Sequence, residues 1–398
     1  MAVMEALLKL YIPLRGAAGI GCVILLAILL AEVLVLPAPS DNTRTKNVQV
    51  SGGAGGIAPT LVFAVDQSTP QLTSLLSQTG VMADLKELKA GIALSLPDID
   101  TGRAQIVEQL NKAGIPLTAW LALPGEEGYY LNNGNEPEAA ARFAEFERWT
   151  VENRLHWAAI GLDIEPQIQD FTALGNNKLR FAATLVGRYF EFDRARRARE
   201  SYAALIREIH SHGYAVETYQ FPFIADERKM HTTLLERLAG IVDVRGDKEV
   251  LMLYSSFNPK IDSGLIWAYG PEAQAIAVGS TMGSDSDRRF VPLSWEDLSR
   301  DLLVAHHFSE TIGVYNLEGC IRQGFLPRLV SMDWRREVNI PPQFIDYAAQ
   351  FRKRVETAIW IGSHLPHFAL IAIITIGAGI AWWRPRRRKM VPPAGKIG

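Results

Sequence analysis

Cysteine is nearly absent from this chain: its 398 residues contain two, Cys22 and Cys320. Cys22 sits in an apolar run near the start and Cys320 just past the last of the strands read below. The two cannot meet in an intramolecular bridge, so the folded part must hold without disulfides. No His-x-His, paired histidine or cysteine cluster lies near the strand ends, which excludes a zinc centre and a two-histidine phosphodiesterase. Neither a dinucleotide fingerprint nor a phosphate loop occurs, and no organic cofactor or metal is expected. Excess positive charge is also missing. Residues 1–37 and 364–398 carry eight Lys or Arg against two Glu, so the formal total of −2 leaves about −8 on everything between. An acidic middle argues against nucleic acid as a partner.

Long apolar runs do occur, one at each end. Gly16 to Leu36 contains a single acid, Glu32, and is long enough to cross a bilayer as a helix. A second run extends from Ile359 to Trp383, interrupted early by His364, Pro366 and His367, with Trp382 and Trp383 as interfacial anchors. Lys9 and Arg15 precede the first run, and Arg384, Arg386, Arg387, Arg388 and Lys389 follow the second. The positive-inside rule then puts both ends in the cytoplasm and the intervening domain outside, at the plasma membrane. Small residues Pro37-Ala38-Pro39-Ser40 after the first run leave a cleaved signal peptide as the other reading.

From Pro37 to Pro59 the chain is polar and small, with Ser51-Gly52-Gly53-Ala54-Gly55-Gly56 too poor in apolar side chains to bury anything, and reads as a flexible tether. Beyond it, eight short apolar segments read as strands: 60–65, 90–96, 116–123, 158–165, 215–220, 250–255, 275–280 and 311–317. Continuous apolar runs of this kind suit parallel strands buried on both faces. Helical periodicity fills the gaps. Arg103 to Ala113 and Ser201 to His212 each end at a glycine, and Trp295 to Phe308 precedes the last strand. Strand and helix alternating eight times predicts a single (β/α)8 TIM barrel. The expected divisions are an N-terminal membrane anchor over 1–37, a linker over 38–58, the barrel over 59–358, a C-terminal transmembrane helix over 359–384 and a basic cytoplasmic tail over 385–398.

The chemistry belongs at the C-terminal ends of the strands. The fourth ends Gly161-Leu162-Asp163-Ile164-Glu165. Residues two apart share a face, so Asp163 and Glu165 point into the lumen while Ile160, Leu162 and Ile164 pack outward. Asp66 follows the first strand, Asp98 and Asp100 the second. Trp120 lies within the third, Glu217 and Tyr219 alternate inward on the fifth, and Asn316 and Glu318 on the eighth. Carboxylates gathered at one mouth can serve as acid, base or nucleophile on a glycosidic bond, or can hold a divalent cation. The alternative for Asp163 and Glu165 is buried ion pairing, and for Glu318 a helix cap. Trp120, Tyr219, Tyr254 and Tyr315 could stack on sugar rings or simply fill the core. Pro166 to Glu200, rich in Arg with Tyr189, Phe190 and Phe192 interleaved, inserts above the same face. It reads as a solvated helix packed on the barrel rather than a lid.

The fourth strand resembles that of the family 18, chitinase-like glycoside hydrolases, which ends D-G-x-D-x-D-x-E. Asp163 and Glu165 match its last two acids, while Ala158, Ala159 and Gly161 stand at the first Asp, the Gly and the next Asp. Met252-Leu253-Tyr254-Ser255 similarly matches M-x-Y-D except in the final residue. The resemblance implies that Glu165 protonates the leaving oxygen, that Asp163 orients a substrate N-acetyl group and that Tyr254 hydrogen-bonds it. Three readings stand: a membrane-anchored glycosidase acting on a polysaccharide or glycolipid, a catalytically silent glycan-binding or scaffolding barrel, and a metal-dependent hydrolase using Asp163, Glu165, Glu217 and Glu318.

Overall fold

The structure, a computed structural model, describes residues 48–51, 57–166, 178–257, 260–282 and 291–387. In chain order its strands are β1 (Val48–Ser51), β2 (Thr60–Val65), β3 (Gly91–Ser95), β4 (Leu117–Leu121), β5 (Ala159–Asp163), β6 (Ala215–Gln220), β7 (Lys248–Met252), β8 (Ala275–Gly279), β9 (Thr311–Tyr315) and β10 (Glu337–Ile340). Strands β2 to β9 pair in parallel and in sequence order, and β9 returns to β2, closing an eight-stranded barrel ringed by helices. Each of the eight expected strands is present, with ends shifted by up to three residues.

The apolar parity of the strands explains the closure. Leu61, Phe63 and Val65 on β2, Ile160 and Leu162 on β5, and Ile164 just past its end lie outward and buried under the helices. Each such side chain contributes roughly 1.5–3 kcal/mol by leaving water. The helices carry their own start signals. Asp100 accepts a 2.7 Å bond from the backbone N–H of Arg103 at the head of the helix Thr101–Lys112, and Ser294 caps Trp295–Phe308 from Asp297 at 3.1 Å. Asp100 is thus a helix cap, where a place at the mouth was expected.

Three features depart from the expected organisation. Within the tether, Val48–Ser51 is a strand, paired antiparallel with β10, and Val50 and Ile340 are buried in the core. The segment 359–384 is not a separate element but part of one helix, Pro342–Arg387. Its first half is clamped to the barrel wall. Arg352 donates from Nε to Asp226 at 2.8 Å and lies 4.5 Å over the Tyr269 ring, and Lys229 meets Glu356 at 2.7 Å. The packing continues past 359, since Ile359 and Leu365 are buried and Tyr189 donates to the Gly362 carbonyl at 2.8 Å. Among the described residues no helix is long and apolar enough to cross a membrane. The N-terminal run, Cys22 and the tail beyond 387 lie outside the described residues.

The insertion after β5 forms the helices Lys178–Tyr189 and Phe192–Ser211. Its aromatics divide: Tyr189 is buried, while Phe190 and Phe192 are about half exposed (49 and 55 %).

Candidate active site

The small residues on the inner wall decide where space is left. Ala64, Ala93 and Gly313 face the lumen, and the space that they leave is bounded by Trp120, Tyr219, Tyr254 and Tyr315. Above these the barrel opens into a cavity of about 320 Å³ lined by Asp163 and Glu165, the same four aromatics, Tyr130, Phe221, Met252 and Phe257. Tyr254 and Tyr315 lean together with centroids 5.7 Å apart.

Glu165 is held at the rim by a strand extension. Leu131, from the loop after β4, bridges to Ile164, donates to the Asp163 carbonyl at 3.2 Å and accepts from the Glu165 N–H at 3.0 Å. That loop is pinned by its own asparagines. Asn135 Oδ1 accepts from the Asn132 N–H at 2.8 Å, Asn132 Oδ1 from the Gly134 N–H at 3.0 Å, and Tyr202 donates to the Asn132 carbonyl at 2.9 Å. The loop thereby carries Tyr130 into the cavity wall.

Burial governs the electrostatics. Asp163 is 4 % exposed and its Oδ1 has no hydrogen-bond partner among the described residues; desolvation, then the neighbouring Glu165, pushes its carboxyl well above the usual range. Desolvation raises Glu165 to about 7. The cause is burial in the apolar, aromatic surround. Burial raises Tyr130, Tyr219, Tyr254 and Tyr315 too, assisted by the carboxylates around them, so all four keep their hydroxyl protons at neutral pH.

The other expected site residues separate into distinct places. Asp66 stands behind Tyr315, accepting its hydroxyl at 2.7 Å and Gln67 Nε2 at 2.8 Å. Asn316 caps the helix Leu317–Arg322 by accepting the Gly319 N–H at 3.0 Å, and also faces Asp66 at 3.4 Å. Glu318 lies in the first turn of that helix and pairs with Arg322 one turn on. Glu217 is deeper in the barrel, level with Gly161, where Lys248, Thr118 and Tyr219 contact it at 3.3, 3.4 and 3.3 Å. Glu165 is four residues further along β5, roughly 13 Å at the usual rise per residue. Among the described residues, Asp163 and Glu165 are therefore the two acids lining the cavity. Among the described residues no group of three or more His, Cys, Asp or Glu is arranged to hold a metal ion.

Two of the departures from the chitinase-like pattern, Gly161 and Ser255, have physical counterparts. A Cβ added at Gly161 would come within 2.9 Å of the Tyr219 ring and 3.3 Å of Thr118 Cγ2, so the ring occupies the place of a third acid. Ser255 is buried and donates to Asp301 on the helix Trp295–Phe308, turned away from the cavity lining.

No family model matches the chain, and no curated protein matches it. Solved structures similar to it include the PgaB (BpsB) glycoside hydrolase domain from Bordetella bronchiseptica, 12 % identical, with a TM-score of 0.42 over 70 % of this chain and 99 % of that one. A family 1 β-glucosidase from Thermotoga maritima is 12 % identical, with a TM-score of 0.37 over 67 % of this chain and 90 % of that one. A family 2 AP endonuclease from Brucella melitensis is also 12 % identical, with a TM-score of 0.35 over 65 % and 93 %. Likeness at this level is one of barrel architecture, and no activity follows from it.

Proposed function

We propose that this barrel hydrolyses a glycosidic bond next to an N-acetylated sugar, with Glu165 as the general acid. The observation that carries the reading is a carboxyl held neutral up to about pH 7 at the rim of an aromatic-lined cavity, directly above a second buried carboxyl with a free oxygen. A neutral acid at this position can protonate the leaving oxygen as the bond to the anomeric carbon breaks. A retaining enzyme with its own nucleophile needs a second carboxylate about 5–5.5 Å from the acid on the far side of the sugar. Glu217 and Glu318 are placed elsewhere, and Asp163 adjoins Glu165 on the same strand. Among the described residues no other carboxylate lines the cavity, and in this reading the acetamido oxygen of the substrate is the nucleophile, with Asp163 Oδ1 accepting the acetamido N–H and Tyr254 donating to its oxygen. Glu165, deprotonated by the first step, takes a proton from the water that completes hydrolysis. Among the described residues that line the cavity, aromatic rings and the two carboxyls predominate, which suits a saccharide.

Membrane attachment belongs to the same proposal. It rests on the apolar runs at both ends and their basic flanks, which favour a barrel outside the plasma membrane.

The occupation by Tyr219 of the third acid's place favours a second reading, glycan binding without turnover. One experiment separates them. Detergent-solubilised full chain is offered matched oligosaccharides with and without N-acetyl groups, alongside Glu165→Gln. Turnover of the acetylated series, lost in the variant while binding persists, supports hydrolysis. Binding of the wild type without turnover establishes the second reading, and turnover confined to the non-acetylated series eliminates the acetamido nucleophile.

A further inference from the structure

The long C-terminal helix leaves the domain on the same side as the cavity mouth. It starts beside β10, whose neighbour Trp334 packs on His306 at a ring distance of 5.7 Å. His306 in turn hydrogen-bonds the Ile57 carbonyl at 2.8 Å, and Thr60 bonds Glu310 at 2.8 Å where β2 and β9 begin. This is the N-terminal face of the barrel. From there the helix climbs past Asp226 and Tyr269 to Gly362 and Leu365, which meet Tyr189, Leu234 and Leu238. Those residues belong to the other face. Arg188 bonds the Leu238 carbonyl at 3.2 Å, Gly240 accepts from Asn133 at 2.8 Å, and Val242 accepts from Gln220 at the C-terminal end of β6 at 3.1 Å.

Past Leu365 the apolar side chains that are described are exposed. Phe368, Leu370, Ile371 and Ile374 are 40–61 % exposed, and between Phe368 and Ala381 the single polar side chain is Thr375. A helix that docks on a protein through one face keeps a polar face for water, whereas apolar residues all round suit hydrocarbon. Five basic residues follow at 384–389, as a neighbouring layer of anionic headgroups would favour. Phe190 and Phe192, beside Tyr189, and Phe257 at the cavity rim add half-exposed rings to the same face.

We propose that the C-terminal face of the barrel lies against a lipid bilayer, so that the cavity mouth takes a saccharide carried on a lipid at that surface. The substrate half of this proposal rests on the saccharide reading above; the orientation does not. The test uses full chain reconstituted in vesicles of phosphatidylcholine and phosphatidylglycerol, with Phe190→Cys or Glu310→Cys carrying a fluorophore. Glu310 is exposed and precedes β9 on the opposite face. Headgroup spin-labelled lipid should quench the label at 190 several-fold more than the one at 310. Equal quenching, or a label at 190 that is shielded by dimer formation with no quenching, overturns the proposal. The second arm compares one N-acetylated oligosaccharide free in solution and linked to a lipid in the same vesicles. A turnover at least tenfold faster for the lipid-linked form is expected. Equal turnover of both defeats this inference and leaves the hydrolase reading standing. Turnover of neither defeats the hydrolase reading, and the quenching arm still decides the orientation.

Discussion

Replacing Glu165 by Gln keeps the shape of the side chain and removes its ionisation, which makes the variant a direct measure of what the cavity does to this carboxyl. Its pKa moves from an ordinary 4.5 to about 7 on folding. The folded protein therefore holds a proton here that the unfolded chain has released. The resulting stability is fully present below about pH 4.5 and is lost as pH rises through 7. At about 1.4 kcal/mol per unit the full effect is roughly 3 kcal/mol. Water at the mouth and a partial linkage already present at pH 5 reduce what can be read between pH 5 and pH 8 to about 2 kcal/mol. Urea denaturation of wild type and variant at both pH values gives the difference directly. Asp301 and Glu227, remote from the pair, titrate alike in the two proteins and cancel, whereas Asp163 is relieved of repulsion by Glu165 in the variant and so adds to the difference in the same direction. The variant should gain on the wild type by about 2 kcal/mol from pH 5 to pH 8. A gap that stays constant to within about 0.5 kcal/mol would mean that the cavity does not hold this proton, and the case for Glu165 as the acid would go with it.

Catalysis should follow the same proton: the rate should fall as pH rises through about 7, and Glu165→Gln should lower kcat by about 10²–10⁴-fold on the acetylated substrate. Asp163→Asn should cut turnover more than about tenfold yet leave the alkaline limb of the pH–rate profile near 7, because burial rather than its neighbour sets Glu165. A downward move of that limb by a full unit would show that charge repulsion matters more. Arg352→Met strands the buried Asp226 beside Tyr269 and should cost about 3 kcal/mol in denaturation, with partial recovery when Asp226→Asn is added.

The barrel was legible because both faces of its strands are buried, leaving eight uninterrupted apolar runs separated by helical periods. The pair Asp163 and Glu165 was legible for a related reason, as polar residues at alternate positions of an otherwise aliphatic strand must face inward. Glu217 and Glu318 obeyed or imitated the same parity but sat at the wrong height. Alternation tells which way a side chain points and says nothing of depth, and β9 gives way to a helix at Asn316, where the parity rule ends. Tyr130 was hidden because a loop delivers it. The signal was there in Asn132-Asn133-Gly134-Asn135, a turn-forming cluster next to two tyrosines. Val48–Ser51 passed for tether because a four-residue strand has too few alternations to stand out, and its partner lies almost three hundred residues away.

The ring of Tyr219 lying where a side chain at 161 would go also sets an order on change. An aspartate introduced at 161 first would collide with that ring, and the barrel would carry the damage before any benefit. A smaller residue at 219 must come first, opening a space that the acid can then fill. The two substitutions therefore have a fixed order, 219 before 161, because the space that an acid at 161 needs is the space that the Tyr219 ring fills.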